Sequence, residues 1–199
     1  YLDNAATTQR AQSVVTAQSQ FDLYENANIH RGIYDLSNQA TKKFENTRAQ
    51  IARFLGSNNP NTIAFTQGTT ASINIVAQSF LAPRLQVGDN IVTTIMEHHA
   101  NFIPWQMLAK KYQIELRIVP MNKDGDLDLT ELKSLIDHKT QLLALSHISN
   151  TIGTIHPLHE ITGLARNKKI PILIDAAQSA SHFEIGVDSM NCDFITFSG

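Results

Sequence analysis

Short runs of apolar, β-branched residues recur along this chain, and each is separated from the next by a segment with helical spacing. That alternation restricts the fold more than any single residue does. Residues 62–66, 91–95, 114–119, 141–146, 170–175 and 194–197 read as strands. Residues 41–55 carry Phe44, Ile51, Phe54 and Leu55 at helical spacing, and Gly56 stops that helix. Residues 72–81, 102–112, 130–136 and 157–167 read as further helices, with Pro104 accepted in a first turn and Thr130 as the expected cap. Residues 122–126 read as a turn. Strands separated by helices form βαβ units, so the expected architecture is α/β, a three-layer sandwich around a mainly parallel sheet with both faces covered. The first forty residues are less regular, and residues 26–32 read as a loop that packs elsewhere or covers a site.

Composition narrows the function classes. Of 199 residues, 42% are hydrophobic and 17% charged, enough apolar content to bury a sizeable core. Net charge is −2 and no basic stripe appears, so no nucleic-acid footprint is expected. The pairs Lys42-Lys43, Lys110-Lys111 and Lys168-Lys169 read as solvated helix surface. Cys192 stands alone, which excludes an internal disulfide and fits a reducing compartment. It precedes a core strand and reads as a packed small hydrophobe. No apolar run reaches the ~18 residues of a membrane span.

Chemistry-bearing residues gather at the ends of the strands. In Ile172-Leu173-Ile174-Asp175-Ala176-Ala177-Gln178 an apolar strand ends in an acid and small residues follow, leaving room for a flat ligand beside a negative charge. A buried carboxylate needs a partner, and a ribose hydroxyl, a metal and a protonated ring nitrogen are the three candidates. The glycine-rich dinucleotide fingerprint is missing upstream, which weakens the ribose reading. Gln67-Gly68-Thr69-Thr70 joins a strand to a helix and suits either a phosphate cup or a tight turn capped by threonine. Ser198, after the last strand, could reach the same phosphate. Glu97-His98-His99 follows another strand, and its two adjacent histidines could be ligands, acid–base groups or a stacking surface. Adjacent loop side chains point apart, so no shared metal is expected there, and His156 and His159 read as surface residues. Asn150 offers a donor and an acceptor, for a ligand or for its own loop.

Taken together, Tyr1-Leu-Asp-Asn-Ala-Ala6, His30-Arg31-Gly32, Gly68-Thr69-Thr70, Glu97-His98-His99-Ala100-Asn101, Ser149-Asn150, Asp175-Ala-Ala-Gln178 and Cys192 through Gly199 resemble the class V aminotransferase family, a branch of the fold-type I pyridoxal phosphate enzymes. Within it the chain looks most like the group II (Suf-type) cysteine desulfurases and selenocysteine lyases. The resemblance implies the large domain of an aspartate aminotransferase-like, pyridoxal phosphate-dependent transferase, with residues 1–199 its N-terminal portion. The Schiff-base lysine and the small domain would lie beyond it, since none of the nine lysines stands at the family's position after Ser198-Gly199. The sulfur-accepting cysteine also belongs to that remainder, so Cys192 is not given its role.

The resemblance also implies roles. His98 would stack on the cofactor ring and assist proton transfer. Asp175 would pair with the ring nitrogen and Gln178 with the phenolic oxygen. Asn150 would lie near that oxygen and the substrate carboxylate. Gly68, Thr69, Thr70 and Ser198 would hold the phosphate. Ala5, Ala6 and His30 would line the substrate space. Ala71 departs from the acid that relatives place after Gly-Thr-Thr. The implied reaction converts L-cysteine, or L-selenocysteine, to alanine for sulfur mobilisation and Fe–S cluster assembly. A homodimer, a sulfur-acceptor protein and a cytoplasmic setting come with it. A kynureninase-like lyase or epimerase is the alternative enzyme, and a truncated, non-catalytic binding or scaffold protein the alternative from another class.

Overall fold

A computed structural model describes residues 1–199, which divide into two compact units, Tyr1–Ala64 and Phe65–Gly199. In the first unit, α1 (Gln12–Gln20) runs into a single π turn over Phe21–Glu25, and α2 spans Asp35–Phe54. The second helix begins six residues before the first residue of the expected helix. Asp35 lies in its first turn, where a negative charge is favoured. Ser37 Oγ donates to the Asn28 carbonyl at 2.5 Å and ties the preceding loop to that turn. A side chain at Gly32 would put its Cβ 2.2 Å from Ser37 Oγ, so only glycine passes there. The far end closes as a Schellman motif at Gly56 (φ 70°), with Ser57 N–H donating to Ala52 O at 2.9 Å and Gly56 N–H to Arg53 O at 3.0 Å.

The strand expected over 62–66 does not form. Pro60–Thr62 make one 3-10 turn, capped by Asn59 accepting from Asn61 N–H, and extended backbone follows without a ladder. The Ile63 carbonyl, which a neighbouring strand would have used, accepts instead from the Arg48 guanidinium. β-branched composition makes a segment extended, but only a partner makes it a strand.

The second unit opens with α3 (Thr69–Ile75), extended by a π turn to Leu81. The strands are β1 (Asn90–Thr94), β2 (Glu115–Val119), β3 (Thr140–Ser146), β4 (Ile172–Asp175) and β5 (Phe194–Thr196). Between them lie α4 (Ile103–Tyr112), α5 (Leu129–Leu135), α6 (Leu158–Asn167) and the short α7 (Val187–Met190). All strand pairs are parallel, in the order β2-β1-β3-β4-β5. Every strand therefore points its carboxyl end to one edge.

Alternation along the strands builds two cores. Leu142, Ala144 and Leu173 face a cluster with Ile73, Leu81, Trp105 and Leu108. Leu143, Leu145, Ile172 and Ile174 face the other, with Leu132, Ile161 and Ala165. Side chains alternate at period two, so a strand covered on both faces is apolar throughout, which is why β3 and β4 read as continuous hydrophobic runs. The helix α5 starts at Leu129, one residue earlier than expected, and its cap is Asp128 rather than Thr130. The Asp128 carboxylate accepts from Thr130 N–H at 3.0 Å and Glu131 N–H at 2.9 Å. Asn122 likewise closes its turn, accepting from the Asp124 and Asp126 amides. All six residues of the three lysine pairs are exposed, as expected. Cys192 is half-buried against the second core, and burial pushes its thiol up to about 11, which leaves little thiolate at neutral pH.

Candidate active site

In an open parallel sheet, ligands bind beyond the carboxyl ends, where neighbouring strands send their connections to opposite faces. Here that place lies between β1 and β3. From β1 the chain passes to α4 and from β3 to α6, which pack on different cores. The β1–β3 ladder stops at Val92↔Leu143, so the two strands part below their ends.

Glu97 occupies the opening. One carboxyl oxygen accepts from Thr94 Oγ1 (2.7 Å), Ser146 N–H (3.0 Å) and Ser146 Oγ (3.3 Å). The other accepts from Asn101 Nδ2 (2.6 Å), and Asn101 Oδ1 in turn accepts from the Trp105 indole N–H (3.1 Å). Burial pushes the Glu97 carboxyl up to about 7, against the pull of Thr94, Ser146 and Asn101, and the neighbouring charge of Asp175 adds to the rise. Sequence alone places Glu97 within a motif and assigns it no role. The available signal is the spacing of Glu97, Asn101 and Trp105, each four residues apart as the chain leaves a strand for a helix.

Asp175 ends β4 in register with Ser146 on one side and Thr196 on the other. It is buried, its Oδ1 accepts from Ala177 N–H at 2.9 Å, and no basic side chain forms an ion pair with it. Burial raises its pKa above the ordinary carboxylate value, opposed by the Ala177 amide and by His98. Gln178 lies half-buried in the turn just beyond. His98 is exposed on the loop after β1, and its Nδ1 accepts from Ala100 N–H at 3.1 Å. That nitrogen carries no proton, so the ring's N–H is at Nε2.

Gly68, Thr69 and Ser198 come together although 129 residues separate the last two. Ser198 Oγ lies 3.0 Å from both Thr69 N and Thr69 Oγ1. Thr70 stands exposed at the start of α3. Gly68 has φ 95° and ψ 178°, a conformation close to exclusive to glycine, and an added Cβ would lie 3.2 Å from Ser198 Oγ. Gly68→Ala is therefore expected to destabilise the protein by about 1–3 kcal/mol. Thermal melting checks this, and a wild-type midpoint would show that the turn tolerates a side chain.

Asn150 is exposed at the tip of a hairpin-like loop closed by the Ile148↔Ile155 bridge. Ser149, not Asn150, bonds the loop backbone, accepting from Thr151 N–H at 3.3 Å. His156 is not the surface residue expected. The same loop folds it against β3, where it is buried with Nδ1 2.6 Å from the Ser146 carbonyl. Burial lowers its basicity and that of His147. His159 is exposed as expected. Ala5, Ala6 and His30 belong to the first unit. The two alanines lie in an exposed turn, and His30 (φ 67°) holds Glu45 at 3.3 Å with its ring edge-on to Phe44.

An all-parallel sheet with a buried acid at a strand end, a glycine–hydroxyl cup and a histidine loop places the chain among open α/β folds, whose ligand place is the sheet's carboxyl edge. The chain belongs to the class-V aminotransferase family, whose model matches residues 1–199. It is 44% identical, over all of its 199 residues, to a cysteine desulfurase of Salmonella gallinarum, 49% of which it covers. Its fold matches the apo cysteine desulfurase of Thermococcus onnurineus with a TM-score of 0.93 at 39% identity, covering all of this chain and 49% of that one. It matches the cysteine desulfurase CsdA of Escherichia coli with a TM-score of 0.89 at 36% identity, covering 50% of that chain. The chain thus spans about half the length of the relatives it matches. None of its helices is long and apolar enough to cross a membrane.

Proposed function

We propose that this chain forms the cofactor-facing part of a pyridoxal phosphate-dependent cysteine desulfurase. The observation that carries the reading is Asp175, a buried carboxyl at the sheet's carboxyl edge that accepts the Ala177 amide and has no ion-pair partner. Such a group calls for a cationic ligand, and a protonated pyridine nitrogen supplies one. The donor set elsewhere fits the same molecule. Thr69 and Ser198 offer hydroxyls beside a glycine that keeps the approach open, as a phosphate requires.

When bound, pyridoxal phosphate supplies an electron sink for the bond-breaking steps at the substrate's Cα and Cβ. This chain's residues would prepare it. Asp175 holds the proton on the ring nitrogen and so deepens the sink. Gln178 and Asn150 orient the ring and the substrate from the turns after β4 and β3. His98 stands exposed, with the Ala100 amide donating to its Nδ1. For His98 to take up a proton at Nδ1, the Ala100 bond must open first.

In this reading the chain is the N-terminal portion of the large domain of a longer protein, and the cofactor-bearing lysine and sulfur-accepting cysteine lie outside it. L-cysteine, with L-selenocysteine as the competing substrate, a homodimer, a sulfur-acceptor protein and a cytoplasmic setting belong to the same proposal. The test is alanine formation from L-cysteine by the full-length protein supplied with pyridoxal phosphate and a thiol reductant. Stoichiometric alanine and sulfide are expected. A protein that binds the cofactor and releases no alanine from either amino acid would overturn the desulfurase reading.

A further inference from the structure

We infer that Glu97 is a positioning residue, whose two carboxyl oxygens, each facing a donor that cannot reverse, lock the loop carrying His98 to the carboxyl end of β3. The inference deepens the pyridoxal phosphate reading of the site and rests on it. The argument begins where the sheet stops. Backbone pairing between β1 and β3 ends at Val92↔Leu143, and the Ser146 N–H further along has no β1 carbonyl to meet. Glu97 supplies the missing acceptor from the other side of the opening. One residue later comes His98, and in register with Ser146 comes Asp175. Glu97 is thus joined to both of the groups that would address a ring.

The polarity of this link is set on both sides. Toward β3, the backbone N–H of Ser146 can only donate. Toward α4, Asn101 could in principle turn its amide over, but Trp105 prevents it. The buried indole N–H donates to Asn101 Oδ1, so Asn101 Nδ2 must face Glu97. Both oxygens of Glu97 must therefore accept. The hydroxyls of Thr94 and Ser146 can rotate, so the carboxyl is accommodated with or without its proton. An amide is not. In Glu97→Gln the side-chain nitrogen would face either the Ser146 N–H or the Asn101 amide nitrogen, and nitrogen bearing two protons accepts nothing.

This logic yields a test that shape alone would not pass. Glu97→Gln preserves volume but breaks the polarity. Asn101→Asp alone sets two carboxyls against each other. Together they restore every bond, because the introduced amide can donate to one oxygen of the introduced carboxylate while Trp105 donates to the other. In the full-length protein, E97Q is expected to speed exchange of the Ser146 amide about tenfold or more. It is also expected to speed release of pyridoxal phosphate by a similar factor, and to diminish the visible circular dichroism of the bound cofactor, which reports ring orientation. The E97Q/N101D double variant is expected to recover most of each loss and to exceed both single variants. An E97Q protein with wild-type exchange and dichroism would overturn the inference, as would a folded double variant no better than the singles. Should the wild-type protein bind no pyridoxal phosphate, the site reading fails, and Ser146 exchange in the cofactor-free variants still decides the role of Glu97.

Discussion

On the proposed desulfurase reading, Asp175→Asn is expected to lower turnover of L-cysteine by the full-length protein by about 100- to 1,000-fold, the usual effect of deleting one preorganised electrostatic contact. The substitution is close to isosteric. The asparagine Oδ1 can still accept from Ala177 N–H, so the turn after β4 survives and the loss falls on charge alone. In that reading, the carboxylate would no longer hold a proton on the ring nitrogen of pyridoxal phosphate, and the electron sink would become shallow. Stability should move the other way. Burial is the largest influence on Asp175 and raises its pKa in the folded protein. A raised acid contributes most below its unfolded value, and that contribution is lost as pH climbs through the folded one. The cofactor-free D175N protein should therefore melt above wild type at neutral pH, with the difference closing in acid. Steady-state kinetics and pH-dependent melting check both halves. Unchanged turnover would remove Asp175 from the chemistry.

The second large effect concerns the core under the site. Trp105 is fully buried on the face shared by Ile73, Leu81, Leu108 and Leu173. Trp105→Ala is expected to destabilise the protein by about 3–5 kcal/mol, from lost transfer energy and the cavity left behind. That is a large fraction of the roughly 5–15 kcal/mol that holds a domain together, so the variant should lose structure at modest denaturant. Trp105→Phe separates packing from polarity. It keeps most of the volume but removes the N–H that orients Asn101. A loss of about 1–3 kcal/mol is expected for leaving that buried oxygen unpaired. Urea midpoints read both, and a loss below about 1 kcal/mol for the alanine variant would contradict the packing account.

Much of the architecture is legible because burial on both faces forces an apolar run. The strands expected at 91–95, 114–119 and 141–146 stand at Asn90–Thr94, Glu115–Val119 and Thr140–Ser146. Helices with no buried residue escape such a reading. α1 buries none of its side chains, so Gln12–Gln20 carries no apolar period to detect. The displaced cap has a local cause, since Asp128 and Thr130 are both good cap residues and only the helix's actual start at Leu129 distinguishes them. Residue type alone puts His156 at the surface, and its burial follows from the Ile148↔Ile155 bridge, a contact between residues seven apart that no periodicity announces.

The same division holds for the site. Local pattern alone determined that this chain builds a parallel α/β unit, that Asp175 closes an apolar strand, and that a glycine introduces the turn before Thr69. Each is a matter of neighbours along the chain, where side-chain period and backbone freedom act directly. Tertiary structure decided the strand order, the point at which the β1 and β3 ladders part, and the meeting of Ser198 with Thr69. It also decided that Glu97 would meet Ser146, 49 residues away. A carboxyl on a loop after a strand has many places to go. Only the register of two strands, fixed by the packing of the whole sheet, sets which amide is left for it.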